Sequence, residues 1–231
     1  MTPYASARAP AKAVATALED AATLGGCFAV TLGGPERGWR PVTDAYPSGF
    51  GDLAGAIAER YDTRETRVGA SLAHLGHAAR LWSPVLACAL GHGIVLDLSG
   101  LHRADHAPAL RLPRPTGWYA EGLPPLAGTL YRVVVGEHLA PLAAALRPRL
   151  APRLLDGNAA SALTGTAQVL LRARPELRRP LTALTAELLA TGRLADTGRL
   201  TDRDLAFRRR SCCLFYRTPS GGKCGDCCLA P

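Results

Sequence analysis

Lysine is almost missing from this 231-residue chain. Lys12 and Lys223 are the only two, so the excess of 27 basic over 19 acidic side chains, a formal charge of +8, is carried by arginine. Guanidinium groups favour planar, bidentate contacts with anions, although arginine is also used along the whole chain as a compositional habit. Aromatic residues are scarce at 6%, and no nucleic-acid-binding module accompanies the charge, which argues against a nucleic-acid partner. Long apolar runs are missing too: the most apolar stretch, residues 81–98, is broken by Pro84, His92 and Asp97, so no transmembrane segment is expected. Residues 1–24 carry Arg8, Lys12, Glu19 and Asp20 without a continuous apolar centre, which predicts no secretory signal and a cytoplasmic protein. In a reducing compartment, clustered thiols hold metal or do redox chemistry rather than form structural disulfides.

What is present is a chain 48% apolar, with no repeat or low-complexity linker dividing it. It is long enough to bury a core unaided. Amphipathic spacing predicts helices over residues 9–22 and 52–61, and "GGCFAVTLGG" reads as a short strand with Cys27 as a small buried residue. Leu72, Leu75, Ala79 and Trp82 recur at helical spacing, and the Ser83-Pro84 order then predicts a fresh helix start, hence a broken helix. His74 and His77 lie three apart there, with no third ligand at helical spacing, and read as structural, as does Cys88. "GIVLDL" reads as a buried strand, residues 110–128 as an irregular connection or strand edge, and "TLYRVVVGEH", rich in β-branched residues, as the clearest strand in the chain. Helices are expected over residues 139–147, over "LLDGNAASALTGTAQVLLRA" with Asn158 as N-cap, and over "PELRRPLTALTAELLATG" up to Gly192. Thr201 and Asp204 suggest a capped short helix, "DRDLAFRRR". The fold class expected is a helix-rich α+β body over residues 1–200, a few antiparallel strands packed with helices. A cysteine-rich, cluster-binding segment over residues 201–231 docks on it.

Five of the seven cysteines lie within residues 211–231: Cys212, Cys213, then ten residues, Cys224, two residues, Cys227, and Cys228. Three chemistries compete for them. A dithiol oxidoreductase would place "CGDC" at a helix N-terminus to lower a thiol pKa, and only four residues follow Cys227. Structural zinc takes two short-spaced ligand pairs. "CGDC" is one, but adjacent Cys212 and Cys213 diverge in an extended chain and could share an ion only through a turn-like backbone. A [2Fe-2S] cluster needs two thiolates on each iron and a backbone that approaches the sulfides, which Ser220, Gly221 and Gly222 can supply. Cys224 and Cys227 are then expected on one iron and the contiguous pair on the other, with Cys228 a bystander.

The Cys-Cys, ten residues, Cys, two residues, Cys pattern, with "RRRSCCLFYR" and "GGKCGDC" around it, resembles the signature of the FhuF-like ferric siderophore reductases. "SLAHLGHAARLWSPVLACALGHGI" and "DGNAASALTGTAQVL" are similar to family segments as well, with Leu155 standing where an aromatic residue would be expected before "DGN". The resemblance implies that Cys212, Cys213, Cys224 and Cys227 bind a [2Fe-2S] cluster. It further implies a cytosolic enzyme that reduces siderophore-bound Fe(III) and releases Fe(II), fed by an electron donor protein or other reductant. Peripheral contact with an importer at the inner membrane is a further partner it allows. Arg208, Arg209, Arg210, Arg217 and Lys223 flank the ligands, three consecutive arginines on a helix cannot all face one way, and Arg210, Arg217 and Lys223 are taken as the candidates for tuning the cluster potential. Arg80, facing an anionic complex, Trp82 and Asn158 are candidates for a substrate pocket. No acid/base catalyst is expected. Two other functional classes stand beside this reading: a zinc-stapled, non-enzymatic binding protein, and an iron-sulfur sensor or electron carrier.

Overall fold

The computed structural model describes residues 8–34 and 36–230. Residues 1–7, part of the stretch read above as lacking a secretory signal, lie outside them, as do Pro35 and Pro231. The elements run α1 (Ala11–Ala22), β1 (Val30–Leu32), β2 (Trp39–Pro41), α2 (Gly51–Arg60), α3 (Thr66–His92), β3 (Ile94–Leu96), β4 (His102–Ala104), β5 (Leu110–Leu112) and β6 (Gly117–Tyr119). After these come α4 (Leu126–Tyr131), α5 (Ala140–Leu146), α6 (Pro152–Ala173), α7 (Arg178–Leu189), β7 (Gly198–Leu200) and β8 (Phe207–Arg209). The fold is helix-rich α+β, as expected. Strands β1-β5-β4-β2 form one sheet, parallel between β1 and β5 and antiparallel elsewhere; β3 pairs with β6 and β7 with β8, both antiparallel.

Helix α3 is the spine, packed most extensively against α6 and α2. Its residues Leu81 to Ala89 are buried without interruption, as expected of a helix apolar on all sides. This is why the expected break at Pro84 does not occur. Proline forfeits one helical hydrogen bond, but Pro84 and its neighbours are enclosed by packing, and Ser83 Oγ meets Thr166 Oγ1 of α6 at 3.1 Å. No helix among the described residues is long and apolar enough to cross a membrane.

Two more expectations are overturned. The "TLYRVVVGEH" stretch is helical: α4 continues through a π-helical segment, Arg132–Leu139, into α5. Val133, Val134 and Val135 are all buried, so the run has no polar face to alternate with an apolar one, and tertiary enclosure overrides the β preference of valine. The "DRDLAFRRR" stretch is a turn and a strand. Asp202 Oδ1 accepts the N–H groups of Asp204 and Ala206, Leu205 takes φ 64°, and Thr201 N–H donates to Ala206 carbonyl at 2.7 Å, closing the β7–β8 hairpin. The Thr201–Asp204 pair therefore belongs to a side-chain-capped turn.

Candidate metal centre

Strand β8 feeds directly into the cysteines. After Cys213 the chain turns at Leu214, which takes φ 72° and donates its N–H to Cys212 Sγ at 3.3 Å. A short helical turn, Phe215–Arg217, follows. The chain then doubles back over it, and a Cβ at Gly221 would overlap the Phe215 carbonyl, so only glycine allows that approach. Cys227 N–H closes a second turn on the Cys224 carbonyl at 3.0 Å, and Leu229 N–H donates to Cys227 Sγ at 3.4 Å.

All seven cysteines are free thiols. The sulfurs brought into contact are those of Cys213 and Cys224, 3.7 Å apart. That matches the edge of a sulfur tetrahedron around a metal with bonds of about 2.3 Å. The contact runs across the ten-residue loop and not within "CGDC", where the spacing had placed the first pair. The reason is local: Cys213 is buried and Cys212 half-buried, because adjacent side chains diverge and only the inward one meets the returning strand of the loop. Among the described residues no three His, Cys, Asp or Glu side chains converge as ligands of one ion. Burial, with the carboxyl of Asp226 close by, pushes the Cys224 thiol up; burial also pushes up Cys212, against the Leu214 N–H that favours its thiolate. Metal bound here must displace those protons. The donor set fits a binuclear iron-sulfur group: four thiols, one inter-loop pair at ligand-edge distance, and backbone N–H groups already aimed at sulfur.

A buried network fastens the loop to the body. Arg209 Nη2 donates to Asn158 Oδ1 at 2.7 Å, Asn158 Nδ2 donates to Ser71 carbonyl and Oγ at 2.9 and 3.1 Å, and Ser71 Oγ donates to the Cys213 carbonyl at 2.8 Å. Asn158 is therefore not an N-cap. It sits within α6, which begins at Pro152, because Pro152 supplies the helix start. The rest of "DGN" is explained by the same junction: Asp156 pairs with Arg193 at 2.9 Å, and a Cβ on Gly157 would overlap Ser211 Oγ. At the outer edge Glu65 receives Arg217 through Nε and Nη2, both at 2.8 Å, and Tyr61 meets Phe215 edge to face with centroids 5.4 Å apart.

Tyr61 also lines a cavity of about 450 Å³ between α2, α3 and the β4–β5 turn. Leu53, Ile57, Leu72 and Leu75 make it apolar and Arg60 and Arg80 make it positive; Arg103 also lines it but is paired with Asp52 at 2.8 Å. Arg80, expected at a substrate pocket, is there, its Nη1 donating to Gly76 carbonyl at 2.9 Å. Trp82 and Asn158 are not among the lining residues; both are fully buried between helices. Of the expected tuning residues, Arg210 is exposed and reaches Asp196 at 3.4 Å, Arg217 is neutralised by Glu65, and Lys223 is exposed.

Sequence reasoning missed a buried triad beneath the cavity. Tyr46 Oη lies 2.7 Å from His138 Nδ1 and 3.3 Å from His77 Nε2, and His77 reaches the cavity. Only the π-helical segment holding His138 could have flagged it, and that segment reads as a strand. His74 and His77 are buried, and among the described residues neither pairs with a carboxylate. Cys88 is core, its thiol pushed up to about 12 by burial, whereas Cys27 is half-buried just before β1.

No curated protein matches the chain. A family model described as the FhuF 2Fe-2S C-terminal domain matches residues 209–229, the stretch from Arg209 through all five clustered cysteines. The inter-loop sulfur pair, the amide-to-sulfur hydrogen bonds and this match agree: over residues 209–229 the chain carries a FhuF-type 2Fe-2S domain, and its cofactor is a [2Fe-2S] cluster.

Proposed function

We propose that the protein is a cytoplasmic ferric siderophore reductase. In this reading residues 1–200 form the chelate-binding body and residues 201–231 the electron-delivering segment, with Cys212, Cys213, Cys224 and Cys227 as cluster ligands. The observation that carries it is the Tyr61–Phe215 contact, which sets the wall of the arginine-lined cavity against the cysteine loop.

A bound [2Fe-2S] cluster supplies electrons singly, and one electron converts Fe(III) to Fe(II), which hard oxygen donors hold far more weakly. The protein residues provide the rest. Arg60 and Arg80 draw an anionic ferric complex into the cavity, and the apolar walls on α2 and α3 remove water from around it. Leu214 and Leu229 amides hold two ligand sulfurs in place. Each turnover consumes one electron from a one-electron donor protein or chemical reductant and yields Fe(II) and free chelator. No acid/base residue is needed.

The test is direct. Anaerobic protein, chemically reduced, is mixed with ferric catecholate and ferric hydroxamate complexes in the presence of a ferrous trap. Fe(II) should appear in the trap as the visible absorption of the oxidised cluster returns. Reoxidation by a generic acceptor with no Fe(II) from any chelate would leave an electron carrier or sensor and overturn the reductase reading.

A further inference from the structure

Three arginines precede the cysteines, and strand alternation sends the middle one alone to the interior. Arg208 is half-buried and donates to the Ala230 carbonyl, and Arg210 is exposed, but Arg209 is 1% exposed. A guanidinium cannot shed its proton in a protein, so this position holds a permanent positive charge in the interior. No carboxylate pairs with it among the described residues. Its only side-chain acceptor is the neutral Asn158 Oδ1, while Nε and Nη1 have no hydrogen-bond partner among the described residues. Burial of an unpaired charge is strongly unfavourable, and a fold keeps one where a compensating charge is near.

The hydrogen bonds leading away from Arg209 all run in one sense. Arginine donates to asparagine, asparagine to serine, and serine to the Cys213 carbonyl. Bonds aligned in this way polarise one another, and their positive end faces the peptide that carries the innermost thiol. His74 has its pKa lowered to about 4 by burial and by Arg209, so it adds no charge at neutral pH.

We propose that Arg209 is the internal counter-charge of the [2Fe-2S] cluster, a positioning residue that acts through Asn158 and Ser71 on Cys213 and holds the reduced state at a higher potential. Oxidised, two ferric ions with four thiolates and two sulfides carry a charge of about −2, and reduction adds one more negative charge. A fixed positive charge therefore stabilises the reduced form more than the oxidised one. The exposed Arg210 and Lys223 are screened by water, and Arg217 is neutralised by Glu65. The inference rests on the cofactor and not on the ferric-chelate reading, and it stands or falls without any siderophore.

The experiment is a spectroscopic redox titration of anaerobic, cluster-loaded protein, with iron and sulfide measured per chain. Arg209→Gln should lower the reduced-to-oxidised ratio at fixed potential about tenfold, a shift of about 59 mV for a one-electron couple, at unchanged cluster content. Arg209→Lys, which keeps the charge, should move the ratio less than about threefold. Asn158→Asp, nearly isosteric, supplies the missing carboxylate to Arg209 and should also lower the ratio. Wild-type potentials in both Arg209→Gln and Asn158→Asp would overturn the proposal, as would an equal shift in Arg209→Lys and Arg209→Gln. If Arg209→Gln cannot hold a cluster, Asn158→Asp and Ser71→Ala decide: a lowered ratio in both supports it, and an unchanged ratio in both refutes it.

Discussion

Tyr61, at the end of α2, stands edge to face against Phe215, inside the cysteine loop, with ring centroids 5.4 Å apart and planes at 81°. One ring belongs to the cavity wall and the other to the cysteine loop, so the pair links the two. Edge-to-face pairs contribute about 1 kcal/mol beyond the area they bury. Phe215→Ala should lower thermal stability modestly, keep iron and sulfide content near wild type, and slow Fe(II) release from ferric chelates in the ferrous-trap assay several-fold. Unchanged release would show that the contact serves packing alone.

Of the three guanidiniums that line the cavity, Arg103 is paired with Asp52, which leaves Arg60 and Arg80 to meet an anion. Arg80→Gln and Arg60→Gln should each raise KM for an anionic ferric tris-catecholate about three- to tenfold, with kcat little changed. KM for a ferric trihydroxamate without negative charge should barely move. The distinction is read from initial rates at two ionic strengths, since salt should weaken only the anionic substrate.

Gly157 marks where α6 meets the start of the cysteine segment. A Cβ there would overlap Ser211 Oγ, whereas Gly165, two turns further along the same helix, has open space around it. Gly157→Ala should cut cluster content sharply and destabilise the protein by about 1–3 kcal/mol, the usual range for overpacking. Gly165→Ala should keep the cluster and gain a few tenths of a kcal/mol or more from helix propensity. Denaturant melts and iron assays on the two variants check both.

How far these features could be read in the sequence depended on whether local pattern or distant packing fixed them. Helices α1, α2 and α7 show one apolar stripe each, and the spacing of the cysteines, a purely local property, points to the metal-binding segment. The Val133–Val135 run misled because β-branched residues were counted without knowing that helices enclose them on all sides. Asn158 looked like a cap because its partners, Ser71 and Arg209, are 87 and 51 residues away. On the helix expected here Arg208, Arg209 and Arg210 cannot be told apart, and only the two-residue period of a strand singles out the middle arginine.

Buried imidazoles make stability depend on pH. Burial lowers His74 and His138 to about 4 and His77 well below its ordinary value, while Arg209 also opposes charge on His74 and Arg80 and Arg103 on His77. The unfolded chain takes up protons near pH 6.5 that the folded chain refuses until about pH 4, so stability is full above that window and falls as pH drops through it. Urea midpoints measured at pH 7.5, 6.5, 5.5 and 4.5 should fall most steeply between the last three. His138→Gln should flatten the slope.

Cys213 is buried with its sulfur 3.7 Å from that of Cys224, and Cys228 is half-buried beside the second turn. Cys213→Ser should abolish the visible absorption and the bound iron. Cys228→Ser should leave about two irons and two sulfides per chain. The opposite pattern would reassign the ligands.

Helix α3 presents Leu72, Leu75 and Gly76 to the cavity while Ser71, one residue earlier, grips the Cys213 carbonyl. A rod so shared cannot shift along its axis at one station and stay still at the next. Whatever wedges α2 from α3 will tug on the thiols, so an occupied cavity should be felt as a change in the colour or magnetism of the iron pair before any electron has moved.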